Sequence, residues 1–453
     1  MQNIEGFLDR IRTYGETTAV ITKETGTELS ISYRRLVDDV YTIADEFLCM
    51  GITNKRVIIT CQNSYVFYVS SFACLLNNDI IIPVSSSTTV EELFEKSDWL
   101  EADYIFSSRP ILGEKYDSVI IGDFQFQVFR CETHGYSHVI SDEIAFIFLT
   151  SGSTGNQKGV MHTLESVLGA ASLTSKYLPH IGNTLLLMPL NHIYGFCAIS
   201  LPTFLQGGTL ILSNGILSLY DDLKKYEIDL LFVVPAVAYE LYEKTKDLSS
   251  EDRILVMGKR LRTVACGGAK LNSDYVRLYA ECGIRLINGY GSTELCGCVS
   301  LTDGEATENY VGKVFPEYTP SVKEGIIWID TPYAFKGYFP NEDPALIQCG
   351  ICTNDVGECT KHSLYIFGRS NDSIVLKNGE KVDVQDLQQS ISLIKNIHDV
   401  TFGVKDGLLC ATVIASYDDE DSLAQIKEQI VAINRNRPPS QKVQRLTIKN
   451  RIK

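Results

Sequence analysis

The sequence predicts an α/β protein of two domains, in which a large multi-layer N-terminal domain with parallel-rich sheets precedes a small α+β C-terminal domain. At 453 residues the chain is too long for one ordinary core. Apolar residues make up 45% and charged residues 21% of the composition, as in a globular and not a disordered protein. Short apolar runs alternate with helical patterns, which is typical of βαβ units.

The first third of the chain carries this alternation most clearly. Its pattern predicts a helix over residues 33–48, a strand at 56–60, a helix at 65–76 and a strand at 80–84. Strands that alternate with helices in this way predict a layered domain whose sheet is largely parallel.

The middle of the chain continues the pattern and then changes. Continuous apolar runs at 209–212, 230–234 and 263–266 are typical of strands covered on both faces. Around residues 324–329 the pattern changes to short β segments with turns, which predicts a β-rich subdomain within the large domain.

The last part of the chain has its own elements. A polar stretch at 370–373 precedes a strand at 408–415 and an amphipathic helix at 422–434. We therefore predict a boundary near Asn371, with residues 1–370 in the large domain and 371–453 in the small one.

Charge and cysteine usage exclude several classes of protein. The net charge of −15 argues against a nucleic-acid partner, because phosphate backbones are bound by clustered Lys and Arg. The thirteen cysteines are scattered and odd in number, and the first six residues lack the pattern of a signal peptide. These features predict free, mostly buried thiols in a reducing cytoplasm.

Two patterns in the sequence resemble a metal-binding site and a membrane span, and we predict neither. Cys349 and Cys352 have the spacing of a metal-binding pair, but no second pair or histidine follows at a fitting distance. The long apolar region at 185–212 is interrupted by Pro189, Pro202 and several polar residues, whereas a membrane span needs about 20 apolar residues in succession. We expect a buried strand, a loop and a helix there.

The segment from Thr150 to Gly159, TSGSTGNQKG, suits the binding of a polyphosphate. It follows an apolar run at 145–149 that we interpret as a buried strand. Its small residues allow backbone N–H groups to form an anion-binding nest, and Lys158 adds a compact positive charge. A Walker loop is excluded, because there the Gly-Lys pair precedes Ser or Thr directly. A flexible linker of similar composition would not need the preceding strand.

A second segment, NGYGSTE, runs from Asn288 to Glu294 after an apolar run. Its glycines permit close backbone approach, Tyr290 offers a stacking face, Thr293 a hydroxyl, and Glu294 a hard oxygen ligand of the kind Mg²⁺ prefers. A glycine-rich turn of this composition is a common alternative.

Three further segments complete the pattern. A Cys-Gly-Gly-Ala run at 266–269 ends a predicted strand, Asp355 follows Thr353 and Asn354, and residues 368–382 read GRSNDSIVLKNGEKV. These segments and those above closely resemble the motifs of the adenylate-forming (ANL) superfamily and occur in the same order. That superfamily includes AMP-forming acyl- and aryl-CoA synthetases, adenylation domains and luciferase. The resemblance extends from about Tyr33 to Lys442.

The resemblance implies ATP and Mg²⁺ as cofactors and assigns roles by position. Lys158 and Thr293 would be catalytic, and Glu294 would be catalytic and hold the metal. Asp355 and Arg369 would contact the ribose. The remaining nucleotide-binding residues would be Thr150, Ser151, Gly152, Ser153, Thr154, Gly155, Gly267, Gly268, Ala269, Asn288, Gly289, Tyr290 and Gly291.

The acyl side of the site is implied by the segment PLNHIYG around His192, which matches the family's Pro-x-x-His-x-x-Gly. The pocket residues implied by the resemblance are His192, Tyr194, Phe196, Val234, Pro235, Ala236 and Ser292. Relatives that activate amino acids carry a Phe-Asp pair near this point. Its Asp is missing here, so a plain carboxylic acid is expected.

The C-terminal match is the least regular. The family's final motif carries a lysine that stabilises charge between the acyl carboxylate and the α-phosphate. In one alignment, Arg451 takes the position of that lysine and Asn450 the position of the usual glycine. In another, Lys449 and Lys453 lie near the position of the lysine but do not match it. Arginine does not replace a point-charge lysine without consequence, so the catalytic cation stays open between these residues.

The expected reaction has two steps. A carboxylic acid and ATP give acyl-AMP and pyrophosphate, and a mobile C-terminal domain then turns about Asn371 and admits the thiol of CoA or of a phosphopantetheine carrier protein. The negative net charge favours CoA over an acidic carrier protein as the acceptor. The alternatives are a non-catalytic relative that binds a nucleotide or an acyl-adenylate, and an oxygenase of the luciferase kind.

Overall fold

The computed structural model describes residues 3–24, 26–109, 111, 117–131, 136–138, 140–151, 157–213, 215–267, 273–303, 309–343, 349–360, 362–370, 373–375, 381–384, 387, 390–391, 394, 396–405, 408–417, 419–435 and 442–450. The chain divides into two compact units. The first contains Met1–Ser321, Trp328–Ile351 and Cys359–Tyr365, and the second contains Val322–Ile327, Cys352–Glu358 and Ile366–Lys453. The boundary at Asn371 stays a prediction.

Within the described residues, the helices lie mainly in the first unit. They are α1 (Ile4–Arg12), α2 (Tyr33–Cys49), α3 (Tyr65–Leu76), α4 (Val90–Leu100), α5 (Leu164–Tyr177), α6 (Leu201–Leu205), α7 (Leu219–Lys225), α8 (Pro235–Thr245), α9 (Ser250–Met257), α10 (Ser273–Glu281) and α11 (Glu420–Arg435), with a π-helix at Tyr194–Ser200 and a 3₁₀ turn at Ile216–Ser218.

The strands are β1 (Thr18–Thr22), β2 (Leu29–Ser32), β3 (Arg56–Thr60), β4 (Ile80–Val84), β5 (Tyr104–Ser107), β6 (Asp117–Ile121), β7 (Phe124–Arg130), β8 (Ile144–Ser151), β9 (Gln157–Thr163), β10 (Asn183–Leu186), β11 (Thr209–Leu212), β12 (Leu230–Val233), β13 (Thr263–Gly267), β14 (Arg285–Ser292), β15 (Gly297–Leu301), β16 (Tyr310–Val314), β17 (Thr319–Lys323), β18 (Ile326–Asp330), β19 (Gly337–Tyr338), β20 (Asn341–Glu342), β21 (Ile351–Thr360), β22 (Ser363–Arg369), β23 (Ser373–Val375), β24 (Lys381–Asp383), β25 (Ile397–Lys405), β26 (Leu408–Ala415) and β27 (Arg445–Asn450).

Two large sheets organise the first unit. In one, the strands neighbour each other in the order β2-β1-β11-β10-β12-β13-β14-β15-β16, and the pairs from β1 through β11, β10, β12 and β13 to β14 are parallel. The other has the order β20-β19-β9-β8-β4-β3-β5-β7-β6. Buried aliphatic and aromatic side chains fill the space around both sheets, with Phe72, Phe196 and Phe204 among them.

The predicted elements agree closely with the structure. The strands predicted at 56–60, 80–84, 209–212 and 408–415 and the helix at 65–76 have the bounds of β3, β4, β11, β26 and α3. Continuous apolar runs fix the bounds of β3, β4 and β11, because these strands are buried on both faces. The mixed α/β architecture that the sequence predicts is therefore confirmed.

Three details differ from expectation. The NGYGS stretch, for which a turn was the alternative interpretation, belongs to β14, and the turn begins at Thr293. The apolar region at 185–212 contains a π-helix in addition to the expected elements, and no helix among the described residues is long and apolar enough to cross a membrane. All thirteen cysteines are free, but six are buried, so the expectation of mostly buried thiols is wrong.

The second unit has its own small core. Strands β25, β26 and β27 form a three-stranded sheet, with β25 antiparallel and β27 parallel to β26. Helix α11 contributes buried Ile426 and Ile430 to the same core as Leu409 and Val413.

Candidate nucleotide and acyl site

Lys158 lies on the hairpin formed by β8 and β9. Thr150 pairs with Lys158 and Ser151 with Gln157, so the strands meet at the predicted phosphate-binding segment. The predicted residues Gly152, Ser153, Thr154 and Gly155 lie outside the described residues. The hairpin places the Lys158 ammonium 4.7 Å from the centroid of the Tyr338 ring.

The neighbouring Gly159 is required by close packing. A Cβ atom at this position would lie 2.8 Å from Ile147 Cγ2 and 3.1 Å from Phe339 Cβ. Phe339 N also donates to the Gly159 carbonyl oxygen over 2.7 Å. The absence of a side chain at Gly159 therefore lets the segment that carries Tyr338 lie against β9.

The second motif forms a hairpin of β14 and β15. Ser292 pairs with Gly297, and a Cβ atom at Gly291 would lie 1.7 Å from the Gly297 carbonyl oxygen. Only glycine fits this approach, and the turn that follows presents Thr293 and Glu294. The turn is closed by the Cys296 N–H, which donates to the Thr293 carbonyl oxygen over 3.0 Å.

Two residues that the sequence analysis missed connect these hairpins. His162 Nε2 lies 2.8 Å from the Thr293 carbonyl oxygen, and the Tyr338 hydroxyl donates to Glu294 Oε1 over 2.9 Å. His162 is fully buried, and this burial lowers its pKa from 6.5 to about 4, so the ring is neutral and donates through Nε2. A lone histidine in an apolar strand beside the lysine was the available signal for His162.

A cavity of about 620 Å³ begins beside the second motif. This volume lies in the range of small-molecule sites. Its walls come from the ends of β12, β13 and β14, from β15 and from the π-helix. The predicted residues that line it are His192, Tyr194, Val234, Ser292, Gly267, Gly289, Tyr290, Gly291 and Thr293. Residues predicted for the acyl group and for the nucleotide therefore share one cavity.

The cavity carries no formal charge on its described lining. No Asp, Glu, Lys or Arg belongs to the lining within the described residues. Burial raises the pKa of the Cys266 and Cys298 thiols to about 12 and that of Tyr194 well above 10, while desolvation lowers the pKa of His192. All four groups are therefore neutral at pH 7.

Tyr194 spans the ends of two strands. Its hydroxyl lies 3.2 Å from the Val233 carbonyl oxygen and 3.4 Å from that of Ala265. The Tyr194 ring also lies 3.3 Å from the position that a Cβ atom on Gly267 would occupy. These contacts fix the ring as one wall of the cavity.

The prediction that Phe196 lines the acyl pocket is wrong. The π-helix turns its side chain into the core, where its ring centroid lies 5.5 Å from that of Phe146 and 5.9 Å from that of Phe67. Pro235 and Ala236, the first two residues of α8, are not among the described residues that line the cavity either.

The second unit brings together the two residues predicted at the ribose. Arg369 Nε donates to Asp355 Oδ1 over 3.1 Å, and the Asp355 side chain is 7% exposed against 54% for Arg369. The preceding Asn354 has a φ of 59°. This left-handed conformation explains why Asn can replace the glycine usual in the family, since both tolerate positive φ.

The other predicted residues are distributed as follows. Asn288 is buried within β14, with its N–H donating to Thr302 Oγ1 over 2.8 Å. Lys449 is exposed on β27, and the Asn450 side chain donates to the Tyr417 carbonyl oxygen over 2.9 Å. Gly268, Ala269, Asn371, Arg451 and Lys453 lie outside the described residues.

Glu294 fits a magnesium ion bound together with phosphates. Mg²⁺ in nucleotide sites is usually held by one or two carboxylates plus phosphate oxygens. The Tyr338 hydroxyl donates a hydrogen bond to Oε1 of the half-buried Glu294 carboxylate. Within the described chain, no hydrogen bond is donated to the second oxygen of this carboxylate. No cluster of three or more potential metal ligands occurs among the described residues.

Comparison with known proteins identifies the family of this chain. Residues 7–339 match the family described as AMP-binding enzyme. Peroxisomal OPC-8:0-CoA ligase 1 of Arabidopsis thaliana is 23% identical over 71% of this chain and 66% of its own length. A 2-succinylbenzoate–CoA ligase of Staphylococcus epidermidis is 23% identical over 88% of this chain and 84% of its own length.

A solved structure has the same fold. It is the O-succinylbenzoate coenzyme A synthetase (MenE) of Bacillus subtilis in complex with ATP and magnesium, with a TM-score of 0.74, 16% identity and coverage of 99% of this chain and 96% of that one. Among the first curated relatives, the match spans less than two thirds of their own length, with 11% of the naringenin synthase of Pestalotiopsis fici at the lower end.

Proposed function

This chain belongs to the AMP-binding enzyme family, and we propose that it joins a carboxylic acid to a thiol at the expense of ATP. The observation that carries the proposal is the single cavity in which Gly289–Thr293 of the nucleotide motif and His192 and Tyr194 of the acyl motif share a wall. An acid bound there would have its carboxylate beside the nucleotide motif.

In the first step, a carboxylate oxygen attacks the α-phosphorus of ATP. The bond to the bridging oxygen of the β-phosphate breaks, so that acyl-AMP forms and pyrophosphate leaves. The step requires positioning and charge stabilisation more than covalent protein chemistry. Lys158 would hold phosphate oxygens, and Glu294 would hold Mg²⁺, which neutralises phosphate charge. Asp355 would accept hydrogen bonds from the ribose, with Arg369 beside it.

In the second step, a thiol sulfur attacks the acyl carbonyl carbon, AMP leaves, and the thiol proton passes to solvent. We propose CoA as the acceptor in preference to a carrier protein, because a chain with a net charge of −15 is a poor electrostatic match for an acidic carrier domain. Rotation of the C-terminal residues about Asn371 would admit the thiol.

The substrate proposal follows from the uncharged lining. A second carboxylate within the cavity would be buried without a cationic partner among the described lining residues, at a cost of several kcal/mol. We therefore propose an apolar monocarboxylic acid, aliphatic or aromatic. The reducing cytoplasm is the proposed compartment, on the ground of thirteen free cysteines.

The test measures pyrophosphate release with MgATP across a panel of acids, with and without CoA. The panel pairs each apolar monocarboxylic acid with a dicarboxylic acid of similar size. We expect release with monocarboxylic acids, stimulation by CoA, and loss of at least about 100-fold in Lys158→Ala, as for the removal of one charge-stabilising group. Exposed Lys244→Ala is the matched control. ATP binding without release on any acid would favour the alternative of a non-catalytic nucleotide-binding protein.

A further inference from the structure

Tyr338 is positioned by the edge of β9. It lies on the two-residue strand β19, where Tyr338 pairs with Val160 and Gly337 with Met161. Backbone hydrogen bonds anchor both sides of the pair, from Lys336 N to the Met161 carbonyl oxygen and from Phe339 N to that of Gly159. This register holds Tyr338 beside β9, the strand that carries Lys158.

One aromatic side chain contacts both charged residues of the proposed phosphate site. The Tyr338 hydroxyl donates to Glu294 Oε1 over 2.9 Å, and its ring centroid lies 4.7 Å from Lys158 Nζ. A hydrogen bond to an ionised acceptor is stronger than a neutral one, and the face of an aromatic ring attracts an ammonium group. Tyr338 therefore uses two different parts of its side chain to stabilise opposite charges.

The same arrangement keeps the two charges apart. Lys158 and Glu294 form no ion pair with each other, and within the described chain no carboxylate lies within 4 Å of Lys158 Nζ. A direct pair would neutralise both groups and occupy the atoms that a phosphate and a metal ion need. Contact through Tyr338 leaves the ammonium free to bind an anion and one carboxylate oxygen free to bind a cation.

A second aromatic residue, Phe335, holds Tyr338 in this position. The Phe335 ring packs against it with centroids 5.0 Å apart and planes at 63° to each other. Phe335 N also donates to the Glu294 carbonyl oxygen over 3.1 Å. The segment that carries Tyr338 is thus bonded to β9 on one side and to Glu294 on the other.

We propose that Tyr338 is the positioning residue that presents Lys158 to the triphosphate and Glu294 to its magnesium ion. The proposal rests on the proposed function, in that it assumes MgATP as the ligand of this site. It assigns the hydroxyl to the metal side and the ring to the phosphate side, so the two contacts can be separated by substitution.

The experiment measures equilibrium binding of ATP to the full chain by calorimetry, with and without Mg²⁺. The variants are Tyr338→Phe, which removes the hydroxyl alone, and Tyr338→Leu, which also removes the ring. Tyr318→Phe is the matched control, because Tyr318 is buried in the same unit and its hydroxyl has no hydrogen-bond partner among the described residues.

We expect Tyr338→Phe to bind ATP without Mg²⁺ as the unsubstituted chain does, and to need about fivefold more Mg²⁺ for half-saturation, as for one lost hydrogen bond. Tyr338→Leu should also weaken ATP binding without Mg²⁺ by about threefold, because the ammonium loses the ring face. Tyr318→Phe should change neither quantity.

Each outcome decides between explanations. Unchanged Mg²⁺ dependence in Tyr338→Phe would overturn the positioning role, and so would an equal effect in Tyr318→Phe. Should Tyr338→Leu fail to fold, the Phe variant still decides. An unsubstituted chain that binds MgATP but releases no pyrophosphate would contradict the proposed function alone, whereas one that binds no MgATP would contradict both.

Discussion

His162 Nε2 lies 2.8 Å from the backbone carbonyl oxygen of Thr293, so a buried hydrogen bond joins β9 to the turn that presents Glu294. The two residues are 131 positions apart in the chain. The ring donates this bond in its neutral form, and His162 Nδ1 has no partner among the described residues. Protonation at Nδ1 would keep this hydrogen bond but would place a charge in the buried site, so the folded protein favours the neutral ring.

The first prediction concerns stability at acid pH. Burial lowers the pKa of His162 from 6.5 to about 4, so the unfolded chain binds this proton at a higher pH than the folded protein does. The contribution of this pKa difference to the free energy of unfolding is complete above pH 6.5. It is lost as the pH falls from about 6.5 to about 4, and its total is about 3 kcal/mol. We expect His162→Gln, whose amide can donate to Thr293, to remove this part of the pH dependence.

The measurement is the free energy of unfolding by urea at several pH values between 7 and 4.5. His180→Gln serves as control, because His180 is exposed and has no bond to the turn. A His162→Gln curve parallel to that of the unsubstituted chain would contradict the assignment.

The second prediction concerns the β14–β15 hairpin. Gly291→Ala would bring a Cβ atom to 1.7 Å from the Gly297 carbonyl oxygen, which is backbone and cannot turn away. We expect a loss of about 3 kcal/mol in unfolding free energy, as for severe overpacking, together with loss of ATP binding because Ser292 and Thr293 shift. Chemical denaturation and calorimetry measure the two effects.

Gly289→Ala is the matched control on the same strand. A Cβ atom there would lie 3.3 Å from Leu301 Cδ2, the end of a side chain that can adjust. We expect a smaller loss, and equal losses in the two variants would show that the close approach at Gly291 is unimportant.

The limits of the sequence-based prediction can be seen at particular residues. The bounds of β3, β4 and α3 followed from local runs of apolar residues, which need no knowledge of distant partners. For the NGYGS stretch a glycine-rich turn was the alternative interpretation, because glycines suit turns. The structure pairs it with β15, and the small size of Gly291, not its flexibility, makes that possible.

The site residues that were missed depend on distant pairing. Tyr338 meets Glu294 across 44 positions and reaches Lys158 only because β19 adds to the edge of β9. No local motif carries that register. The assignment of Phe196 to the pocket failed for a related reason, since the π-helix that turns its side chain into the core has no recognised sequence signature.

The third prediction concerns recognition of the ribose. Asp355 is buried and held by Arg369 Nε, which leaves its carboxylate in a fixed orientation. We expect the unsubstituted chain to bind ATP at least about tenfold more tightly than 2′,3′-dideoxy-ATP, and Asp355→Asn to bind the two nearly equally, because hydrogen bonds to a charged group are lost. Competition binding measures both ratios.

Glu358→Gln provides the control for charge alone. Glu358 is an exposed residue on the same strand, β21, so its removal lowers the negative charge near the site without changing Asp355. If Glu358→Gln reduced the discrimination as much as Asp355→Asn, the assignment of Asp355 to the ribose would be wrong.

The fourth prediction compares Tyr194 with Phe196, two residues on the same π-helix with opposite environments. Tyr194 forms a wall of the cavity, whereas Phe196 is buried among core aromatic rings. Tyr194→Ala should enlarge the cavity and raise kcat/KM for larger acids relative to smaller ones by at least about tenfold, since the space of one methylene group in a pocket changes kcat/KM by that much.

Two variants serve as controls. Tyr194→Phe keeps the ring and should leave the ratio of kcat/KM between larger and smaller acids nearly unchanged. Phe196→Leu should instead lower the unfolding free energy by about 1 kcal/mol without changing the order of acids. The decisive measurement is kcat/KM over a series of monocarboxylic acids of increasing length. A change in acid preference in Phe196→Leu, but not in Tyr194→Ala, would reverse the assignment of these two side chains. Phe196 would then line the pocket, as the sequence alone predicted.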